Sequence, residues 1–180
     1  MLISKKYSYI LVICSLIGLV ASFLLTIDII KLTANPDLDL PCNLSPFISC
    51  KSVIESSQGK VFGFPNPLLG IAGFSFILAT GVLMLFGAEP SRKFWKFFTA
   101  GITLVIILIH WFIFQSIYII GSLCLYCMVT WSITWPIFLF TIIQYFNLGW
   151  LNKNRVAILI GWYLLIILLI LLRFREYFLQ

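Results

Sequence analysis

Charge is what this sequence has least of. Asp, Glu, Lys and Arg together make up 10% of its 180 residues, against roughly 25% in an average soluble domain. With 62% of residues hydrophobic and a mean hydropathy of +1.09, a water-soluble globule is excluded. Histidine is scarcer still, for His110 is the only one and lies within an apolar run. That shortage, and the lack of a zinc-knuckle spacing among the cysteines, argues against a structural zinc site. No basic arm or recognition helix accompanies the net charge of +6, so nucleic acid is not an expected partner. Apart from the apolar runs, the chain has no repeat or low-complexity tract.

What the chain does have is long apolar sequence. Residues 9–27, 67–88, 97–123, 125–150 and 156–172 contain no Asp, Glu, Lys or Arg, and about 20 such residues cross a bilayer as a helix. These runs predict an all-α integral membrane protein, a single membrane domain over 1–180. Its spans are expected near 7–30, 66–88, 95–121, 124–148 and 155–174, with an outer loop at 31–65. Between the third and fourth spans only Gly121 and Ser122 mark a tight hairpin. Lys5 and Lys6 ahead of the first run also suit a secretory signal. However, that run exceeds the roughly 7–15 residues of a signal core, and no A-x-A site follows it.

Lys and Arg accumulate on the cytoplasmic side of membrane proteins. With the N-terminus inside, seven of them (Lys5, Lys6, Arg92, Lys93, Lys96, Lys153, Arg155) face the cytoplasm and five (Lys31, Lys51, Lys60, Arg173, Arg175) face out. Asp28, Asp37, Asp39, Glu55 and Glu176 fall among the outer segments. This orientation places Cys42, Cys50, Cys124 and Cys127 on one outer face, where disulfides persist if the membrane is a cell membrane. Cys14 falls near the inner end of the first span and reads as a small buried side chain.

The outer loop falls into three parts, the last being the break at Gly59, Gly63, Pro65 and Pro67 before the second span. Residues 33–46, TANPDLDLPCNLSP, read as irregular and mobile. Residues 50–61 space Val53, Ile54 and Val61 among polar residues, as in a short amphipathic surface helix. Inside, Ser91 is a candidate N-cap for the third span.

In GSLCLYCMVTW, residues 121–131, Cys124 and Cys127 form a C-x-x-C at the start of a helix. Free N–H groups and the helix dipole there favour a thiolate, so the pair reads as redox-active. Half of a zinc site and a static disulfide remain as alternatives. Cys42 and Cys50 alone read as a structural staple. Beside a second outer pair they read as one half of a relay, in which electrons pass by thiolate attack through mixed disulfides. A C-x-x-C at the mouth of an apolar bundle is placed to meet a lipid-soluble oxidant, and quinones are the obvious class. His110, with Gln115, is an intramembrane polar group. It lies about 21 Å before Cys124 along an ideal helix, and reads as hydrogen-bonded packing or as a proton relay.

The C-x7-C followed by KSVIESSQGKVFGFPNPLLG, and later LCLYCMVTW, resembles the vitamin K epoxide reductase family in its bacterial disulfide-forming branch. The resemblance implies a four-helix bundle around a quinone (ubiquinone or menaquinone), capped by the loop and its surface helix, with a fifth membrane helix beside it. It implies that Cys42 receives electrons from a thioredoxin-fold partner, that Cys50 carries them to Cys124, and that Cys127 meets the quinone. Ser56 matches the family's serine of the surface helix, and Asn66 its quinone-binding asparagine. Trp131 stands where animal reductases carry a substrate-contacting tyrosine, which weakens an epoxide-reducing reading.

No thioredoxin-like domain follows the fifth run before Gln180, so the expected partner is a separate DsbA-like chain. DsbB-type oxidases run the same chemistry with the cysteine pairs in the opposite order. The expected activity is thiol:quinone oxidoreduction at a bacterial inner membrane, with the cysteines on the periplasmic or extracellular side. A thiol-driven reductase of quinone or quinone epoxide, and a scaffold with structural disulfides, are the alternatives.

Overall fold

A computed structural model describes residues 5–178. Its helices are α1 (Lys5–Ala34), α2 (Cys50–Glu55), α3 (Pro67–Leu85), α4 (Arg92–Phe114), α5 (Leu125–Phe146), α6 (Gly149–Arg173) and the short α7 (Arg175–Phe178). Five of them, with α4 prolonged to Ile120, are long and apolar enough to cross a membrane. The chain is an all-helical membrane bundle. Helix α1 packs on α3 and α5, α4 packs on α5, and α6 flanks α5 from outside.

Close approach of α1 and α3 depends on small residues, as is common where helices meet without water to drive them together. The buried stripe of α1 runs through Tyr7, Leu11, Ser15, Gly18, Ser22, Leu25 and Asp28. A Cβ on Gly18 would stand 2.6 Å from the Phe74 ring, and one on Gly81 would stand 2.9 Å from Val12. Any larger residue at either point wedges the pair apart. At the end of the bundle away from Cys124, Thr141 donates to the Ile137 carbonyl at 2.6 Å, so Tyr7 donates to Thr141 at 2.8 Å and ties α1 to α5.

Helix ends follow local chemistry. Ser91 caps α4 by accepting from the Phe94 N–H at 3.3 Å. Past Phe114 the helix widens into a π turn, Gln115–Ile120, and Gly121 at φ 68° ends it. Asn147, also left-handed at φ 52°, turns α5 directly into α6. The surface helix is shorter than its sequence pattern suggests: α2 stops at Glu55, and a separate 3-10 turn, Ser57–Lys60, follows.

Helix α6 is joined to the bundle by two polar links. Pro136 lies inside α5 and has no N–H, which frees the Ser132 carbonyl one turn earlier. Tyr163 of α6 donates its hydroxyl to that carbonyl at 2.7 Å. His110 supplies the second link. Its Nδ1 lies 2.8 Å from the Ile106 carbonyl, an acceptor only, so Nδ1 carries the proton and Nε2 accepts from Trp162 Nε1–H at 3.0 Å. Both ring nitrogens are occupied. The single histidine thus braces α4 against α6.

The first link is open to a double-mutant cycle. Tyr163→Phe is expected to cost about 1 kcal/mol of stability in detergent, by leaving a carbonyl bare. In a Pro136→Ala background, where an N–H returns to that carbonyl, the same change is expected to cost close to nothing. An equal loss in both backgrounds, measured by thermal or denaturant unfolding, contradicts the pairing.

Candidate functional site

The site forms where the outer loop meets the turn before α5. The loop is irregular, as its composition suggests, but it is packed rather than free. Asn43 organises it: Oδ1 accepts from Ser49 Oγ at 3.1 Å and from the Lys51 N–H at 3.3 Å, while Nδ2 donates to Asp39 at 2.8 Å. Ser49 in turn caps α2. Cys42 and Cys50 are bonded to each other, with Cα atoms 5.7 Å apart.

Two backbone bonds set the register between this loop and the C-x-x-C. The Leu123 N–H donates to the Phe47 carbonyl at 2.8 Å, and the Ser49 N–H donates to the Leu123 carbonyl at 2.9 Å. The residues that follow, Cys50 and Cys124, are therefore neighbours, and their sulfurs lie 3.4 Å apart. That is close to the contact from which a thiolate attacks a disulfide. The pair is dry, with Cys42, Cys50 and Cys124 each at most 1% exposed among Leu25, Leu32, Leu40 and Ile54. A pair on a mobile loop was the expectation from sequence. The structure buries the pair because Leu38 and Leu40 pack with it against Leu25 and Leu32.

Cys124 occupies the N-cap of α5 and Cys127 its first turn. The Cys124 thiol is pulled below the ordinary 9.0, chiefly by a hydrogen bond with the Cys127 thiol; the first-turn amides of Cys127 and Tyr126 add to this, against burial and the charge of Asp28. Cys127 is half-buried and opens onto a cavity of about 220 Å³ between the four inner helices.

Cavity walls are nearly all apolar, with Gln58, Asn66, Gln115 and Tyr126 among the few polar side chains that line them. Asn66 donates to the Gln58 carbonyl at 2.6 Å and accepts from the Val61 N–H at 3.2 Å, holding the turn in place. Gln58 then reaches Gln115 at 3.4 Å. Trp131 is a buried part of the wall. Ser56 is not brought into the cavity. Its hydroxyl donates to the Val53 carbonyl at 2.7 Å, and it sits at the break between α2 and the 3-10 turn. It serves as a turn residue in this fold.

Sequence reasoning passed over one residue here. Asp28 is buried on α1 with Oδ2 3.8 Å from Cys42 Sγ. Its signal was its place on the stripe of Gly18, Ser22, Leu25 and Leu32, the helix face turned inward.

A membrane helical bundle that brings two cysteine pairs together over an apolar cavity has the build of a membrane thiol–disulfide oxidoreductase. The comparison with known families agrees: the model of the vitamin K epoxide reductase family matches residues 9–142, and the chain belongs to that family. No curated protein matches the chain.

Two measurements test the geometry. In a Cys42→Ser/Cys127→Ser double variant, mild oxidation is expected to join Cys50 to Cys124 in high yield, read by non-reducing peptide mapping; little or no product refutes the register. With the Cys42–Cys50 disulfide intact in a Cys14→Ala background, the thiolate absorbance of Cys124 is expected to titrate below 9.0. Cys127→Ala should move that midpoint upward, since the main lowering cause is gone while burial and Asp28 remain. An unchanged or lowered midpoint contradicts this account.

Proposed function

We propose that the protein is a thiol:quinone oxidoreductase of the bacterial disulfide-forming kind, which keeps a separate thioredoxin-fold, DsbA-like protein oxidised. The observation that carries this reading is the 3.4 Å approach of Cys50 and Cys124, with Cys127 opening onto an apolar cavity. A structural staple needs no second dithiol at that distance. In this reading the N-terminus is cytoplasmic and the cysteine end faces the periplasm or the exterior, consistent with the distribution of Lys and Arg.

The steps balance as follows. A partner thiolate attacks Cys42 Sγ and breaks the Cys42–Cys50 bond, and Cys50 leaves as a thiolate. The partner's second thiol displaces Cys42, so the partner departs oxidised and Cys42 is left reduced. Cys50 attacks Cys124 of a Cys124–Cys127 disulfide and releases Cys127. Cys42 then attacks Cys50, restoring the loop disulfide and releasing Cys124. That last pairing, with Cys42 bonded to Cys50 and thiols at 124 and 127, is the one in the structure.

The cavity suits a quinone: its walls accept an apolar ring and tail, and its amides offer hydrogen bonds to ring oxygens. Gln58, Asn66 and Gln115 would hold the oxygens and Trp131 the ring. A bound quinone supplies the sink for two electrons and two protons. The protein's part is to hold the Cys127 sulfur at the cavity wall and to keep water from it. Because the loop disulfide is buried, the partner reaches Cys42 only when residues 36–46 lift from Leu25 and Leu32, a local opening short of unfolding.

Purified protein in detergent, given quinone and a reduced thioredoxin-fold protein, is expected to oxidise the thiols with matching loss of quinone absorbance. A requirement for an epoxide favours the reductase alternative, and no turnover favours a scaffold. Cys50→Ala, given a partner that lacks its second active-site cysteine and whose remaining sulfur carries a small aromatic thiol as leaving group, should accumulate a partner–Cys42 mixed disulfide, because neither Cys50 nor a second partner thiol remains to resolve it. If the adduct maps to another cysteine, the role given to Cys42 is wrong.

A further inference from the structure

Asp28 is the one acidic side chain buried among the membrane helices. A carboxylate withdrawn from water is costly unless it is paired, and in a membrane helix such a group marks function by default. The groups facing it are not cations. Cys42 of the loop stands 3.8 Å away, Cys124 feels its charge, and Tyr126 of α5 turns its hydroxyl toward it. Among the other nearby charges, Lys31 of its own helix is exposed, Lys51 donates to the Pro36 carbonyl at 2.6 Å, and Glu55 of α2 is exposed.

The contact with Cys42 is informative because of the redox state. Sulfur in a disulfide has no proton, so Cys42 cannot donate to Asp28 as the structure stands. The hydrogen bond exists only when Cys42 is reduced. A bare carboxylate also disfavours a thiolate beside it through charge repulsion. Asp28 therefore cannot assist Cys42 as a fixed charge, but it can by taking the proton.

Resting on the thiol:quinone reading, we propose that Asp28 is a catalytic base and acid of the sulfur exchange, carrying a proton from Cys42 to Cys124. When Cys50 is joined to Cys124 and Cys42 is a thiol, Asp28 takes the Cys42 proton. The Cys42 thiolate attacks Cys50, the Cys42–Cys50 bond forms and the Cys50–Cys124 bond breaks. Cys42 is oxidised, Cys124 is reduced, and the proton on Asp28 passes to the Cys124 thiolate. No proton enters or leaves, so the step runs in a pocket closed to water. Asp28 is placed for the first transfer by its 3.8 Å approach to Cys42, and for the second by the packing of Cys42, Cys50 and Cys124 in one buried cluster.

The test compares wild type, Asp28→Asn and Asp28→Glu, each given a reduced thioredoxin-fold dithiol protein and a short-chain quinone. At neutral pH the Asn variant is expected to turn over about 100-fold more slowly, the lower end of the contribution of a placed acid or base. Quenching by alkylation should find its Cys50–Cys124 disulfide accumulated. Its rate should climb about tenfold per pH unit as solvent replaces the carboxylate in forming the thiolate, while wild type stays flat over the same range. Glu should restore most of the rate.

A variant with the wild-type rate and profile overturns the proposal, as does a loss equal at every pH, which marks a packing role. Should Asp28→Asn fail to fold, Asp28→Ser carries the same comparison. Wild type separates the two ideas: if it does not oxidise the dithiol at all, the thiol:quinone reading fails and not the assignment of Asp28.

Discussion

Two amide hydrogen bonds decide what this bundle is able to do. Leu123 has its N–H and C=O on the inner side of a sharp turn, and Phe47 and Ser49 supply the matching groups. A shift of one residue in that short parallel pairing would swing Cys50 away from Cys124, because successive side chains of an extended segment point to opposite sides. The surrounding features protect this register. The π turn and left-handed Gly121 bring residue 123 to the loop, Asn43 fixes the segment around Ser49, and Ser49 starts α2 so that Cys50 begins a helix. Phe47 is also held from the far side, stacked at 5.3 Å on Phe174, which ends α6, and near Tyr177 of α7. The fifth membrane helix thus reaches the sulfur site through an aromatic contact.

The membrane shapes which interactions carry weight. Apolar burial does not hold helices together in lipid as it does in water, so packing of small residues and satisfied polar groups must. The Gly18 and Gly81 crossings serve the first need, and the Tyr7–Thr141, Tyr163–Ser132 and His110–Trp162 bonds serve the second. Pro136 illustrates the economy of this arrangement. It removes one hydrogen bond from α5, and the orphaned carbonyl becomes the docking point for α6.

Much of this was legible in the sequence. The spans could be read because charge is absent from five runs of sufficient length, a signal that depends on composition alone. The family could be read because C-x7-C and C-x-x-C with PNPLLG between them form a specific combination. Other features turned on side-chain direction, which one sequence carries only faintly. Ser56 looked like a site residue, yet its hydroxyl bonds to its own helix. The Cys42 loop read as irregular and mobile because Pro, Asn and Asp dominate it, whereas Leu38 and Leu40 pack inward and close it. Asp28 looked like one more outer charge until the buried stripe of α1 showed which way it points. His110 read as hydrogen-bonded packing or a proton relay, and the partner that the structure gives it, Trp162, lies 52 residues further on.

Burial of the loop disulfide bears on selectivity. Small soluble thiols attack whatever sulfur they can touch, and a membrane relay with its sulfurs on display would be discharged by any of them. In the proposed relay the Cys42–Cys50 bond is roofed by leucines, and a partner would reach it only through a protein motion. A large partner that grips the loop can drive that motion with its own contacts, whereas a free thiol has no comparable contacts to offer. On the proposed function, the roof over Cys42 and Cys50 acts as electrical insulation, making admission depend on shape before any sulfur chemistry begins.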